Sequence, residues 1–397
     1  MTSPRDESLT GISSSPAHRH RILVVFGTRP EAIKLCPLVK HLGKSYASEI
    51  ETIVCVTGQH REMLDQVLAA FDVQADYDLA LMRPEQSLTG LSSQLLGALE
   101  PILGEVNPSI TVVQGDTTTT LCAALAAFYA RVPVAHVEAG LRTGDPEQPF
   151  PEEMNRVLTT RLAGLHFAAT EAAACNLAAE GVARESIYVT GNPGIDAVLQ
   201  ISEALDNGRL SGLELPEEDG RKTIVVTAHR RESFGPDLRE ICEAIRVLAE
   251  RDDLRIVWPV HPNPNVRSVV DATLRGRRNV LLLEPLDYVP FVDLMRRAYL
   301  LITDSGGIQE EGPSLGKPVL VLRNKTERPE AVQAGTATLT GTSRDSIVRE
   351  ALRLIEDRGA YEAMARVHNP YGDGRASERI AGHLEAYLAG QACRPLP

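Results

Sequence analysis

Short runs of consecutive apolar residues recur along the chain and alternate with longer amphipathic segments. In the first half these runs are rich in β-branched residues and end at glycines or polar residues, which is typical of central parallel strands buried on both faces. The runs are Ile22–Phe26, Thr52–Val56, Ile110–Val113, Val134–Val137 and Ile187–Thr190. Helical patterns lie between them at Glu31–Leu42, Arg61–Phe71 and Leu121–Tyr129. This alternation predicts a parallel α/β sheet, and the very apolar third helix is expected to be buried.

The pattern stops at Glu203–Arg221, a polar, Gly-containing stretch that predicts a long loop near a domain boundary. Beyond it the alternation restarts with five more apolar runs: Thr223–Thr227, Arg255–Val260, Val280–Leu283, Leu300–Thr303 and Val319–Leu322. The chain therefore predicts two doubly wound α/β domains. Since ligands of such sheets bind beyond the carboxyl ends of the strands, we expect a functional cleft between the domains.

The predicted organisation has four parts. Residues 1–20 are polar and Ser-rich and predict a disordered tail. Residues 21–195 form the first domain and residues 196–372 the second. Residues 373–397 carry a last amphipathic helix, Ser377–Leu388, which can pack back on the first domain.

Composition narrows the function classes. The 397 residues include 41 Lys and Arg against 53 Asp and Glu, for a net charge of −12. The negative electrostatic field of such a protein repels nucleic acids and anionic membranes and disfavours them as partners. The longest apolar run, Leu121–Ala130, is about half of what a membrane span needs. Six cysteines without a C-x-x-C pair predict buried free thiols, and with no apolar signal segment the expected location is the cytoplasm.

Candidate chemistry follows the strands of the first unit. After the first strand, Gly27 permits a tight turn, and the helix behind it is expected to offer free N–H groups beside Arg29 and Lys34. These features fit a diphosphate or carboxylate subsite, or a loop arginine and a solvated lysine. Asp116 and Glu138 follow two further strands.

Three acidic residues are expected to gather on this rim: Asp116, Glu138 and Glu152. Such a cluster suits general acid–base chemistry, because repulsion and burial bring carboxyl pKa values towards neutrality. Asp116 could equally be a helix N-cap, and Glu152 and its neighbour Glu153 could be favourable first-turn acids.

In the second unit, His229 follows a strand and is a candidate acid, base or phosphate donor, or a structural histidine. Ser305, Gly306 and Gly307 open a helix and can cradle a phosphate with backbone N–H groups. Glu311, one turn later, could hold ribose hydroxyls, and Arg328 could contact a nucleotide; each could also be a surface charge. The sequence has no G-x-G-x-x-G motif and no metal-binding His/Cys cluster, so neither a dinucleotide nor a metal is expected.

Taken together, these segments resemble the non-hydrolysing UDP-N-acetylglucosamine 2-epimerases. The matching motifs occur in order from about residue 21 to about residue 389. They are FGTRPEAIK from Phe26, TGQHREMLDQVL from Thr57, GDTTTT from Gly115, HVEAGLRTGD from His136, PFPEEMNR from Pro149, HRRESFG from His229, HPNPNVR from His261, TDSGGIQEE from Thr303, GKPVLVLR from Gly316 and TERPEAV from Thr326.

The resemblance implies two Rossmann-like domains of the GT-B type, with UDP held mainly by the second. It implies C2 epimerisation of UDP-GlcNAc to UDP-ManNAc without a cofactor, by elimination of UDP to 2-acetamidoglucal and re-addition. Asp116, Glu138 and Glu152 would transfer protons at C2, and His229 would assist the leaving diphosphate. Arg29 and Lys34 would be the first domain's cations. The uridine, ribose and phosphate contacts would be Phe291, Ser305, Gly306, Gly307, Glu311 and Arg328.

Other functions remain open at this point. A glycosyltransferase of the same architecture would share the UDP cradle, a hydrolysing epimerase would share the first step, and an inactive sugar-nucleotide sensor would need no acidic cluster. The resemblance also suggests a homodimer, although the sequence carries no interface signature.

Overall fold

The computed structural model describes residues 19–58, 61–81, 86–216, 219–228 and 235–392. The predicted disordered tail therefore lies outside the described residues up to position 18, while His20 already belongs to the first strand.

The first sheet has seven parallel strands in the order β3-β2-β1-β4-β5-β6-β7. Its strands are β1 His20–Phe26, β2 Ile50–Val56, β3 Tyr77–Asp78, β4 Ile110–Gln114, β5 Val134–Ala139, β6 Leu165–Ala168 and β7 Ile187–Val189. The second sheet has six parallel strands in the order β10-β9-β8-β11-β12-β13. They are β8 Lys222–Thr227, β9 Leu254–Pro259, β10 Val280–Leu283, β11 Leu300–Thr303, β12 Val319–Val321 and β13 Ala337–Leu339. Both sheets are doubly wound, as predicted.

Helices connect successive strands. They are α1 Arg29–Ser45, α2 Arg61–Phe71, α3 Leu88–Val106, α4 Thr118–Tyr129, α5 Glu152–Leu162, α6 Glu171–Ala179, α7 Pro193–Asp206, α8 Pro236–Leu248, α9 Pro264–Leu274, α10 Tyr288–Arg297, α11 Gly306–Ser314, α12 Pro329–Ala334, α13 Arg344–Glu356, α14 Arg358–Ala365 and α15 Ala376–Ala392. Helix α7 leads from the first sheet to the second and contacts α1, α10 and α11, and position 195 lies within it. The last helix, α15, packs against α1 and α7.

Three details differ from the sequence-based expectations. The polar stretch after position 203 begins as the end of α7, which runs to Asp206. The apolar helix α4 is not buried at its end, because Phe128 and Tyr129 are 57% and 71% exposed. Among the cysteines of the described ranges, Cys175 is exposed, whereas the other four are buried free thiols.

Each sheet reverses its strand order once, between β1 and β4 and between β8 and β11. A crevice opens at such a point beyond the carboxyl ends of the strands, and ligands of doubly wound sheets bind there. The predicted site residues follow β1, β4, β5 and β11, so the topology brings them to these crevices. No helix of the described ranges is long and apolar enough to cross a bilayer.

Candidate active site

A cleft of about 640 Å³ lies between the carboxyl ends of the two sheets. Such a volume is within the usual range for small-molecule sites. The predicted site residues that line it are Arg29, Lys34, Asp116, Glu152, Phe291, Ser305, Gly306, Gly307, Glu311 and Arg328. Glu138 lies behind Lys34 and lines an adjoining cavity of about 250 Å³. The remaining candidate, His229, lies outside the described residues.

A capping box closes the turn that leads into α1, so two backbone N–H groups beside the predicted subsite are already engaged. The carboxylate of Glu31 turns back and accepts hydrogen bonds from the backbone N–H groups of Gly27 and Thr28, at 3.0 and 2.7 Å. Its other oxygen accepts the hydroxyl of Thr117 at 2.7 Å. Burial raises the pKa of Glu31, although these hydrogen bonds oppose the shift. The Thr28-x-x-Glu31 spacing is a local capping-box signature, whereas the contact with Thr117 depends on another element.

Position 27 needs a glycine because two threonine side chains lie close to its Cα, and not because the chain makes a tight turn there. A Cβ atom at this position would lie 2.1 Å from the hydroxyl of Thr57 and 2.7 Å from that of Thr119. The hydroxyls of the two threonines share one hydrogen bond of 3.1 Å across the end of the sheet.

Glu138 occupies an irregular position in β5. The pairing register with β6 shifts between Val137 and Ala139, and Glu138 has a φ of 62°. Such a left-handed conformation is costly for a residue with a side chain, and it persists where the surroundings hold it. The bulge turns the carboxylate towards α1 and α7.

Three side chains donate four hydrogen bonds to this carboxylate. The ammonium of Lys34 donates to both oxygens at 2.6 Å, Asn192 donates at 2.8 Å, and Gln114 donates through its side-chain amide. Burial alone would raise the pKa of Glu138, but the charge and hydrogen bonds of Lys34 hold it below its usual value. Conversely, Glu138 raises the pKa of Lys34 against the effect of burial. The pair is therefore ionised.

Asp116 has the opposite environment. It does not cap α4, because Thr117 does so by accepting the N–H of Thr120. Helix α5 holds Asp116 instead: the amide of Asn155 donates to its carbonyl at 2.9 Å, and Arg156 pairs with its carboxylate at 2.8 Å. Burial and the nearby Glu138 nevertheless outweigh Arg156 and raise the pKa of Asp116 to about 6. This carboxyl can change protonation state near neutral pH.

The two glutamates that open α5 have different surroundings. Glu153 is 3% exposed and accepts the backbone N–H groups of Thr143 and Gly144, at 3.1 and 3.0 Å, so it supports the preceding loop. Glu152 lines the cleft. Of the two, only Glu152 can reach a ligand.

The N-terminus of α11 differs from that of α1. Its N-cap, Ser305, makes no capping side-chain hydrogen bond, which leaves the first N–H groups of the helix to face the cleft. A Cβ atom on Gly306 would lie 3.1–3.3 Å from the guanidinium of Arg328, so this glycine makes room for the arginine. Arg328 in turn donates to Glu310 at 2.7 Å and to Glu327 at 3.0 Å. An open helix end with an arginine beside it is a good anion site.

Glu311 faces the same cleft from the next turn of α11. Burial, followed by repulsion from Glu310, raises its pKa to about 8, although Lys34 and Arg29 lower it. Tyr288 and Phe291 of α10 form the neighbouring wall. Glu311 is therefore neutral at pH 7 and can donate as well as accept a hydrogen bond.

Sequence reasoning missed four residues that organise the site: Glu31, Arg156, Asn192 and Glu310. Glu31, Arg156 and Glu310 lie within motifs that carried the resemblance, whereas Asn192 lies outside them. Each of the four has at least one partner that is distant in the chain. In the described part of the chain, no group of three acidic, His or Cys residues is arranged to hold a metal ion.

Comparisons with known proteins show which family the chain resembles. A sequence profile of UDP-N-acetylglucosamine 2-epimerase matches residues 44–385. The UDP-N-acetylglucosamine 2-epimerase of Escherichia coli K12 is 54% identical over 371 residues, which cover 92% of this chain and 98% of that protein. The Neisseria meningitidis UDP-GlcNAc 2-epimerase, whose crystal structure is bound to UDP-GlcNAc, is 46% identical with a TM-score of 0.84, covering 92% of this chain and 100% of that one.

A third relative, from S. aureus and solved with UDP, is 44% identical with a TM-score of 0.82, covering 95% of this chain and 99% of that one. The similarity thus extends over both sheets and the cleft between them. The chain belongs to the UDP-N-acetylglucosamine 2-epimerase family.

Proposed function

We propose that this protein is a non-hydrolysing UDP-GlcNAc 2-epimerase that interconverts UDP-GlcNAc and UDP-ManNAc. Family membership over nearly the whole chain supports the reaction. The observation that carries the proposal is the cleft itself, in which a carboxyl with a pKa of about 6 faces the open N-terminus of α11. Proton transfer and diphosphate binding are the two operations that this epimerisation needs.

The proposed reaction has two balanced halves. The bond between C1 and the UDP oxygen breaks with its electron pair leaving on UDP, a carboxylate accepts the C2 proton, and a C1–C2 double bond forms in 2-acetamidoglucal. UDP then adds back to C1 while a proton returns to C2 on the other face. A cleavage at C1 that precedes or accompanies proton loss is required, because the C2 proton is only weakly acidic.

In this proposal Asp116, Glu138 and Glu152 supply the proton transfers at C2, and His229 assists the leaving diphosphate. Glu138 is supported as an ionised group by Lys34, and Asp116 is suited by its pKa to give and take a proton at neutral pH. Arg29 adds positive charge at the cleft. We assign the UDP contacts to Phe291, Ser305, Gly306, Gly307, Glu311 and Arg328.

Proton NMR in deuterated water tests the reaction. With UDP-GlcNAc as substrate, we expect deuterium to enter C2 while UDP-ManNAc appears. Free ManNAc with UDP would identify a hydrolysing epimerase instead, and transfer of GlcNAc to an added acceptor would identify a glycosyltransferase. Absence of exchange at C2 would refute both epimerase mechanisms.

We also propose a cytoplasmic homodimer whose subunits consist of domains 21–195 and 196–372, with 373–397 returning to the first domain. The exposed apolar side chains at the ends of α4 and α5, which pack together, support the dimer: Phe128, Tyr129 and Leu158 are 57%, 71% and 44% exposed. Light scattering should show a monomer for Tyr129→Glu, whereas Val189→Glu, at an exposed apolar position on β7, should remain dimeric. A dimer in both variants would contradict this interface.

A further inference from the structure

Asn192 lies at the junction of the two domains and is 1% exposed. It is the N-cap of α7, the helix that leads from the first sheet to the second, and its side-chain oxygen accepts the N–H of Gly194 at 3.0 Å. Its backbone N–H donates to the carbonyl of Tyr371 at 2.7 Å. The capping role uses only the oxygen of the side-chain amide.

The nitrogen of the same amide serves two carboxylates. It donates to Glu138 at 2.8 Å and to Glu310 at 2.6 Å. An asparagine amide has two donor hydrogens and one carbonyl, so all of its hydrogen-bonding groups are used. This saturation also fixes its orientation, because only the nitrogen can face two carboxylates.

The two carboxylates belong to different parts of the proposed site. Glu138 extends from β5 and is paired with Lys34, whereas Glu310 belongs to α11 and is paired with Arg328. Asn192 thus lies between two partly buried ion pairs and links them. The interaction extends further, since Arg328 affects the pKa of Glu138 and Glu310 affects that of Lys34.

We infer that Asn192 is a positioning residue that couples the nucleotide-binding helix α11 to the catalytic carboxylate Glu138. A shift of α11 when a diphosphate binds at its N-terminus moves Glu310, and the shared amide carries that movement to Glu138. The inference rests on the proposed function only for the step that Glu138 performs. The link itself is a property of the buried hydrogen bonds.

Other groups around Glu138 also affect its titration, and a pH test must take them into account. They come from every element packed against it: Lys34 from α1, Gln114 and Asp116 from the end of β4, His136 from β5 and Arg328 from the segment before α12. A substitution at Asn192 leaves all of these residues in place, so any change in the pH profile reports on the Asn192 amide.

Two variants retain the helix cap. Asn192→Asp keeps an oxygen for Gly194 but removes both donors and places a third carboxyl between two others. Asn192→Ser keeps a capping hydroxyl and adds no charge. The matched control is Asn263→Asp, because Asn263 also precedes a proline, caps α9 and accepts the N–H of the residue two positions later, at 2.9 Å.

We expect both Asn192 variants to lower kcat about ten- to hundredfold, with a smaller effect on KM, because hydrogen bonds to charged groups are lost. The acidic limb of the pH profile should move upward, since Glu138 loses a donor that favours its ionised form. Asn263→Asp should leave both unchanged. Wild-type kcat and an unshifted profile in the Asn192 variants, or equal losses in the control, would overturn the inference.

A second readout does not depend on catalysis. In Asn192→Asp the crowded carboxyls bind a proton more tightly when folded than when unfolded, so stability should fall as the pH rises from 6 to 8. Thermal unfolding at the two pH values should show this extra loss relative to wild type, but not in Asn192→Ser or Asn263→Asp. A wild type that fails to epimerise UDP-GlcNAc would refute the proposed function, whereas an Asn192→Asp variant without the pH-dependent loss would refute the link.

Discussion

Neighbouring carboxyl groups of this site have different pKa values because their partners differ. Glu138 is surrounded by donors, and Lys34 outweighs its burial, whereas Asp116 has Arg156 as its ion-pair partner and Glu138 as a like-charged neighbour. Sites that separate the pKa values of paired carboxyls assign different proton-transfer roles to them. The ammonium of Lys34 lies 2.6 Å from the carboxylate of Glu138. Its charge therefore mainly stabilises that carboxylate and is less available to a ligand phosphate.

Asp116→Asn tests a proposed proton-transfer group whose pKa, about 6, lies near neutrality. The substitution preserves the hydrogen-bonding shape but cannot transfer the C2 proton, so we expect kcat to fall about 100- to 10,000-fold. The UDP dissociation constant, measured by calorimetry, should stay within about twofold, because the proposed nucleotide contacts come from α10, α11 and Arg328. Asp72→Asn, an exposed aspartate with a φ of 54°, is the control. Near-normal turnover in Asp116→Asn would remove this residue from the mechanism.

Glu311 predicts a pH dependence of UDP binding. Its pKa of about 8 keeps it neutral at pH 7, and above pH 8 it adds a negative charge beside an anionic ligand. Affinity for UDP should therefore fall roughly tenfold between pH 7 and pH 9. Glu311→Gln removes the titrating group, and its affinity should be nearly constant over this range. Equal pH dependence in both proteins would show that another group is responsible.

At the scale of elements, two helices that follow switch-point strands have N-termini with opposite properties. Thr28 and Glu31 form a capping box at the N-terminus of α1, whereas the N-cap of α11 makes no side-chain hydrogen bond. A diphosphate therefore finds unoccupied N–H groups in the second domain. The glycines differ too: Gly27 accommodates two threonines, and Gly306 accommodates Arg328.

Gly306→Ala tests that last contact. A methyl group would force the guanidinium of Arg328 to move by a few tenths of an ångström, which disturbs its bond to Glu310. We expect UDP affinity to fall about tenfold, the typical value of a charge-assisted hydrogen bond. In an Arg328→Ala background the same substitution should cost little, because there is no guanidinium left to displace. An equal loss in both backgrounds would mean that the methyl group blocks the ligand directly.

The central strands could be predicted from sequence because each is a continuous apolar run. The run Ile22–Phe26 became β1 with two added residues, His20 and Arg21. Strands β3, β6 and β13 were missed because polar residues interrupt their short apolar runs: Asp78 in β3, His166 in β6 and Thr338 in β13. The candidate residues were found because they follow strands. Their partners, such as Asn192 for Glu138, depend on contacts between distant elements that no local pattern contains.

For the whole molecule, the net charge of −12 opposes an anionic ligand, and the cleft does not reverse this. Among the described residues that line it, four are cationic and five are acidic. The cations are also engaged, as the pairs Arg156–Asp116 and Arg328–Glu310 show. Favourable binding must therefore come from oriented N–H groups and from the protonated Glu311 rather than from excess positive charge.

A ligand that contacts both walls of the cleft should draw the two domains together. Ser305 and Gly306 lie on one wall and Arg29 and Lys34 on the other, so a diphosphate bound at α11 gains further contacts only if the walls approach. Small-angle scattering at constant protein concentration should show a smaller radius of gyration with saturating UDP. Uridine, which lacks the diphosphate, occupies one wall only and should leave the radius unchanged. Equal radii with and without UDP would mean that the open cleft already has its binding geometry, and the diphosphate would then be held by α11 alone.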